Sequence, residues 1–235
     1  MSQGAERSKK LRIVLLESPL ELVPPEIRRH PQVKRYTERF GIEPGETLLD
    51  KTYHYYAMEP LPEKWKRGRP DIVHFSILLL QDSLLNQKGF LETYIHVYDG
   101  RVFYIKPETR LPKHYDRFKG LMAQLLIYER LPPSGDTVLV EKVADSLEEF
   151  VEQMGGLILL WEKGKPRTAK TIVREAMELK WPIGVGMFPR GDFRAETIRL
   201  ARKRYSLRGV SGSLKAWSVL HYLLCSAEQL LGILP

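Results

Sequence analysis

The chain reads as an α/β protein built on a mostly parallel sheet with helices on both faces. From Thr137 onward, short apolar runs (137–143, 157–161, 183–187, 205–207) alternate with amphipathic segments (146–154, 168–179, 193–203, 214–231). Strands separated by helices of about ten residues pair in parallel and hide both faces of their sheet. Leu11 to Leu16 is a dense apolar run, suited to a buried first strand. Asp99-Gly100 separates two alternating runs, Tyr94 to Tyr98 and Val102 to Ile105, which signals a hairpin.

The remaining elements follow in order. Pro19, Pro24 and Pro25 end the first strand. Val33, Tyr36, Thr37 and Phe40 lie three or four apart with Gly41 after them, a helix with a glycine stop. Thr47 to Met58 is rich in aromatics, and its element type stays open. Pro60, Pro62 and the run Lys64-Trp65-Lys66-Arg67-Gly68-Arg69 make a basic loop. Ile72 to Leu80 is an apolar helix, expected to be capped by the Asp71 carboxylate. Residues 82–89 read as a turn, 107–113 as a loop and 115–128 as an amphipathic helix. Ser146 and Glu149 form a capping box. The chain is thus one domain from residue 11 to 235, with an insertion over roughly 31–68, a hairpin over roughly 92–106 and a loose polar tail at 1–10.

With 235 residues, 43% of them hydrophobic, the chain can bury a sizeable core. A net charge of +8 and a pI of about 9.5 point to an acidic partner, nucleic acid before anionic membrane. The single cysteine, Cys225, permits no intramolecular disulfide and suits a reducing compartment, the cytoplasm; its apolar context predicts a buried small hydrophobe. The six histidines lack ligand spacing, so no metal site is expected, and no apolar run reaches the length of a membrane span.

Gly184-Val185-Gly186 follows a strand, with Gly191 beyond it, and imitates a dinucleotide fingerprint. The third glycine is out of place and Pro189 sits in the turn. An NAD site, an ordinary crossover loop and a backbone that approaches another adenosyl ligand all fit. Ser206 to Ser213 (Ser-Leu-Arg-Gly-Val-Ser-Gly-Ser) offers backbone donors and acceptors, with Leu207, Val210 and Leu214 able to flank an adenine ring. Together with the loop after Leu160, these make three loops at the carboxyl ends of strands, where open α/β sheets bind ligands or simply turn.

From Lys165 to Arg208 there are twelve Lys or Arg against four Asp or Glu. Lys64, Lys66, Arg67 and Arg69 form a second basic group, and Arg110, Lys113, Arg117 and Lys119 a third. Lys113 and Arg117 are four apart at a helix entrance, an arrangement for phosphate or merely a solvated helix end. Tyr98, Phe103, Tyr104 and Tyr115 either stack bases or fill the core. Ser76 and His74, two apart on a helix, do not face each other, which argues against a serine hydrolase. Arg69 and Asp71 are the sharpest polar pair. Pro70 stiffens the link between them, and a carboxylate so close to an arginine stays ionised and orients the guanidinium rather than taking a proton. A simple helix cap is the plainer alternative.

Arg69-Pro70-Asp71-Ile72-Val73-His74, Asp82-Ser83, Leu85-Asn86, Gly89, Tyr94-Ile95-His96, Thr109-Arg110-Leu111-Pro112, Arg117-Phe118, Gly120-Leu121-Met122 and Gln124-Leu125-Leu126 together resemble the Nep/Emg ribosome-biogenesis family. These are pseudouridine-N1-specific methyltransferases of the SPOUT class. The resemblance implies a SPOUT-type mostly parallel sheet with a C-terminal trefoil knot, a homodimer, and S-adenosylmethionine as cofactor. It implies a pseudouridine in small-subunit rRNA as substrate. Carried over by position, Arg69 and Asp71 are the catalytic pair. Arg69, Arg110, Lys113 and Arg117 contact RNA. Leu160, Gly186, Gly191, Ser206, Leu207, Arg208, Gly209, Val210, Ser211 and Leu214 hold the methyl donor. A non-catalytic rRNA-binding assembly factor with the same fold is the rival from another class.

Overall fold

In the computed structural model, which describes residues 10–210 and 212–234, the apolar run that opens the chain becomes the centre of the molecule. The first half comprises β1 (Leu11–Ser18), α1 (Pro31–Phe40), α2 (Lys51–His54), α3 (Pro70–Asp82), α4 (Leu84–Gln87), β2 (Leu91–Val97), β3 (Val102–Ile105) and α5 (Tyr115–Tyr128). The second comprises β4 (Arg130–Leu131), β5 (Val140–Ala144), α6 (Leu147–Met154), β6 (Ile158–Arg167), α7 (Ala169–Leu179), β7 (Ile183–Gly186), α8 (Ala195–Leu200), β8 (Lys203–Leu207) and α9 (Ala216–Leu230). They form one eight-stranded sheet in the order β4-β5-β3-β2-β1-β7-β6-β8. The β2-β1-β7-β6-β8 stretch is parallel, and β3, β5 and β4 add an antiparallel edge.

Alternation along β1 explains why it is central. Leu11, Ile13 and Leu15 enter the large core beneath α3, α5, α7 and α9, whereas Val14 and Leu16 enter a second core with Leu147, Phe150 and Val151 of α6. A strand buried on both faces must be largely apolar, as this one is from Ile13 to Leu16. Val23, Ile27, Val33, Leu49, Ala57, Met58 and Leu61 of the 23–61 region make a small third cluster. α1 starts at Pro31, with the His30 ring accepting from the Gln32 amide, and stops at Gly41 in the left-handed region (φ 63°).

Several elements differ from expectation. Asp71 does not cap α3: Arg69 occupies the cap position, no side chain caps it, and Asp71 sits in the first turn. Residues 82–89 contain the short helix α4, because Ser83 Oγ accepts from the Asn86 amide. The strand expected over 137–143 is β5, which joins the antiparallel edge instead of the parallel run. β6 continues through six further residues to Arg167, and the helix expected over 193–203 shrinks to α8. Cys225 is half-buried, not buried, and lies against the His221 ring. Residues 1–9 and Ser211 lie outside the described residues; Lys10 is tied to Glu92 at 3.1 Å.

Candidate active site

Topology fixes where the chemistry-bearing residues meet. α3 connects β1 to its parallel neighbour β2, so it runs back against both strands. Its amino end therefore sits at the carboxyl edge of the sheet. β6, β7 and β8 run parallel to β1, so β7 ends at Gly186 and β8 at Leu207 at that same edge, while the loop expected after Leu160 is a bulge within β6, which runs on to Arg167.

Arg69 stands at the amino end of α3. Its Nε and one terminal nitrogen donate to the two carboxylate oxygens of Asp71, each at 2.7 Å. This planar two-point contact fixes the guanidinium as no lysine would be fixed. The hydrogen-bonded Asp71 carboxylate raises Arg69 above the ordinary guanidinium value, so its charge is permanent. Both side chains remain partly exposed. Beneath them is a buried polar platform. Asp50 accepts from the Tyr115 hydroxyl at 3.0 Å and from Lys119 Nζ at 3.1 Å. Burial, and then Asp50, raise Tyr115, which keeps its proton.

Arg110, Lys113 and Arg117 are all exposed. Arg117 lies in the first turn of α5, and the His74 ring joins the amino ends of α3 and α5. It bonds the Pro112 carbonyl at 2.8 Å and stacks on Phe118 at 4.3 Å between centroids. Two helix amino ends thus lie side by side with Arg69 and Arg117 on them, a setting that attracts phosphate. Lys113 precedes the helix and leans toward Asp82 at 3.8 Å.

The other basic residues do not join this surface. Lys66, Arg67 and Lys119 are buried; Arg67 makes a two-point contact with Glu21 at 2.8 and 2.6 Å. The aromatic candidates are also occupied. Phe103 is core, Tyr104 packs on Tyr94, and Tyr98 lies under the guanidinium groups of Arg67 and Arg194.

Two glycines shape the late loops. A Cβ at Gly186 would stand 2.9 Å from Phe193 and 3.0 Å from Phe188, so only glycine lets these rings close over the end of β7. Gly191, with φ 95°, lies against Trp65 and Lys66, which places the loop after β7 beside the segment that leads to Arg69. Ser206 is not a free hydroxyl: it donates to the Gly164 carbonyl at 3.0 Å and ties β8 to β6. The Arg208 amide donates to the Arg167 carbonyl, and Gly209 turns with φ 84°. Leu160, Leu207, Val210 and Leu214 are half-buried, an aliphatic lining among exposed Lys165, Arg208 and Lys215. These donors and side chains fit an adenosyl group: aliphatic faces for a base and open backbone groups for its edge.

Sequence reasoning missed Glu17. It is buried with a left-handed backbone (φ 48°), accepts from the Arg194 amide at 2.8 Å and Thr197 Oγ1 at 2.9 Å, and meets Lys66 at 2.9 Å. A glutamate closing an otherwise apolar strand was the available signal. No group of His, Cys, Asp or Glu able to hold a metal occurs among the described residues, and no helix there is long and apolar enough to cross a membrane.

Open α/β sheets bind small ligands outside the carboxyl ends of their strands, and in this protein Arg69 and Arg117 stand on two neighbouring helix amino ends. Residues 13–228 match the model of the EMG1/NEP1 methyltransferase family. The ribosomal RNA small subunit methyltransferase Nep1 of Aeropyrum pernix is 48% identical over 94% of this chain and 98% of its own length. Nep1 of Saccharolobus solfataricus is 40% identical over 94% and 98%. The crystal structure of Archaeoglobus fulgidus Nep1 bound to S-adenosylhomocysteine superposes with a TM-score of 0.84 at 35% identity, covering 95% of this chain and 99% of that one. The chain belongs to the EMG1/NEP1 methyltransferase family, and the expected SPOUT-type α/β fold is borne out.

Proposed function

We propose that this protein methylates N1 of a pseudouridine in small-subunit rRNA, with S-adenosylmethionine as methyl donor, as a cytoplasmic step of ribosome biogenesis. The Arg69–Asp71 fork at the carboxyl edge of the sheet carries this reading. The printed names of the relatives support the RNA class, and the S-adenosylhomocysteine in the related structure supports the donor. When bound, the donor supplies an electrophilic methyl group. Leu160, Gly186, Gly191, Ser206, Leu207, Arg208, Gly209, Val210, Ser211 and Leu214 would hold it.

Pseudouridine is joined to its ribose through carbon, so its N1 carries a proton, which passes to solvent water before N1 accepts the methyl group. Arg69 places a fixed positive charge where that negative charge develops, which is worth most in a site that excludes water. Asp71 is a positioning residue: both of its oxygens are committed to Arg69, so it sets the angle of the fork. Arg110, Lys113 and Arg117 hold the RNA backbone so that the target base, turned out of its stack, reaches the fork.

We further propose a homodimer and a trefoil-knotted carboxyl end. Phe75, Leu79, Trp217, Ser218, His221 and Tyr222 form an apolar surface across α3 and α9, with Phe75 59% and Tyr222 51% exposed, which favours burial against a second copy.

The test is mass spectrometry of an RNA hairpin with pseudouridine or uridine in its loop, after incubation with protein and S-adenosylmethionine. A gain of one methyl group on the pseudouridine hairpin alone is expected. RNA binding without methyl transfer at saturating donor would favour an assembly factor.

A further inference from the structure

Outside this site, one surface combines a ring-walled cavity with free cations. It lies on α1 and α2 of the insertion and is lined by Gln32, Arg35, Tyr36, Arg39, Phe40 and Tyr53. Its volume is about 150 Å³, several times that of a water molecule. Tyr36 forms the inner wall, with ring centroids 4.8 Å from Phe40 and 4.7 Å from Tyr53. Phe40 is 45% exposed, although Val33 and Thr37 of the same helix are buried. The Arg39 guanidinium lies 5.4 Å from the Phe40 ring centroid. Lys34, Arg35 and Arg39 are exposed, and none has a carboxylate within 4.0 Å among the described residues, so their charge faces solvent.

Two walls of this cavity, Tyr36 and Tyr53, rest on the buried network of Lys119, Asp50 and Tyr115. Lys119 Nζ donates to the Tyr36 hydroxyl at 3.4 Å and to Asp50 at 3.1 Å, and Tyr115 donates to the same Asp50. Lys119 lies 4.4 Å from the Tyr53 ring centroid and 4.9 Å from that of Tyr115. One buried cation thus ties the cavity wall to Asp50 and to the start of α5, close enough for Asp50 and Tyr115 to act electrostatically on Arg69.

Resting on the reading of an RNA substrate, we infer that this cavity is a second nucleotide site for a single-stranded residue flanking the methylated one. Its base stacks on Phe40 against Tyr36, and its phosphates meet Arg35 and Arg39. Stacking on an aromatic side chain together with arginine contacts is how unpaired nucleotides are held without reading a groove. The site anchors the strand a fixed distance from Arg69, and so helps to choose which loop residue reaches the fork.

The experiment is fluorescence anisotropy with a labelled pseudouridine hairpin, comparing the wild type with Phe40→Ala, Phe40→Trp and the double change Arg35→Ala, Arg39→Ala. Phe40→Ala and the arginine double change are expected to weaken binding by roughly five-fold or more, with Phe40→Trp near wild type. S-adenosylhomocysteine affinity should be unchanged in all three, which also reports that they fold. KM for RNA should rise while kcat at saturating RNA holds. In a second arm, loop nucleotides are made abasic one at a time, and one position should weaken the wild type but not Phe40→Ala. Wild-type binding with unchanged variants would overturn this site alone. A wild type that bound no RNA would overturn the substrate reading as well.

Discussion

Lys66 Nζ lies 2.9 Å from Glu17 Oε2, and both side chains are almost wholly buried. The other oxygen of Glu17 holds the Arg194 amide and the Thr197 hydroxyl, and the Glu17 amide donates to His96 Nδ1 at 3.1 Å. One carboxylate at the end of β1 therefore joins the segment before Arg69 to the loop after β7. The cost of desolvating this pair is recovered only while both charges are present. Glu17→Ala leaves the buried Lys66 with only Glu63, at 3.6 Å, and should destabilise the protein by about 3 kcal/mol, read as a fall in urea midpoint. Glu17→Leu with Lys66→Met should regain most of that stability. It should still bind S-adenosylhomocysteine weakly, because the Arg194 amide and Thr197 remain unheld.

The two-point contact between Arg69 and Asp71 separates their roles. Arg69→Lys keeps the charge but loses the fork, and should lower kcat by about 10²–10³ with RNA affinity changed only a few-fold. Asp71→Asn keeps one acceptor and should cost less. Stopped-flow or quenched methylation assays under saturating RNA check both. If Asp71→Asn abolished turnover while Arg69→Lys left it nearly intact, Asp71 would be the general base and Arg69 its support.

The strands and most helices were legible because burial leaves a period in the sequence. The α5 bounds at Tyr115 and Tyr128 and the stop at Gly41 follow from local rules. The polar half of β6, from Glu162 to Arg167, carries no such period. It is a strand because its backbone pairs with β8, in two registers either side of a bulge. The end of α8 is set from afar as well: the amides of Arg202 and Lys203 donate to the Leu157 carbonyl, which draws 202–203 out of the helix and into β8. Composition likewise hid which cations face solvent. Lys66, Arg67 and Lys119 look no different in sequence from Arg110 and Arg117, and only their carboxylate partners, Glu17, Glu21 and Asp50, distant along the chain, turn them inward.

Acid should unfold this protein through two histidines. Burial lowers His54 and His96 to about 4. Each ring accepts a backbone amide hydrogen at Nδ1, from Asp50 and Glu17 respectively, which an imidazolium cannot do. In the unfolded chain both titrate near the ordinary value of about 6.5. Between about 6.5 and 4 the unfolded state binds more protons, so stability rises with pH across that window. It is fully present above about 6.5 and falls as pH drops toward 4, by on the order of 3 kcal/mol for each ring. Urea unfolding at pH 7.5 and 4.5 measures the slope. His96→Asn, which keeps an acceptor near the Nδ1 position but cannot ionise, should remove about half of it.

The loop after β8, proposed above to hold the methyl donor, depends on a close approach that only glycine permits. A Cβ on Gly164 would lie 2.6 Å from the Tyr205 backbone nitrogen and carbonyl carbon and 2.8 Å from the Arg204 carbonyl carbon. Backbone cannot swing aside as a side-chain tip can, so Gly164→Ala must push β8 away from β6. That movement breaks the bond from Ser206 Oγ to the Gly164 carbonyl and shifts Leu207 through Val210 together. Gly209 provides the contrast. Its φ is 84° but nothing lies within 4 Å of its Cβ position, so Gly209→Ala costs only the left-handed conformation, about 1–2 kcal/mol. By calorimetry, Gly164→Ala should lose S-adenosylhomocysteine affinity by at least ten-fold (about 1.4 kcal/mol) and Gly209→Ala by less. RNA affinity should be nearly unchanged in both, since Arg69 and Arg117 stand at the amino ends of α3 and α5 and Arg110 in the loop before α5, whereas β8 pairs with β6 at the far edge of the sheet. Equal donor affinity in Gly164→Ala and wild type would mean that β8 does not set the shape of the donor loop.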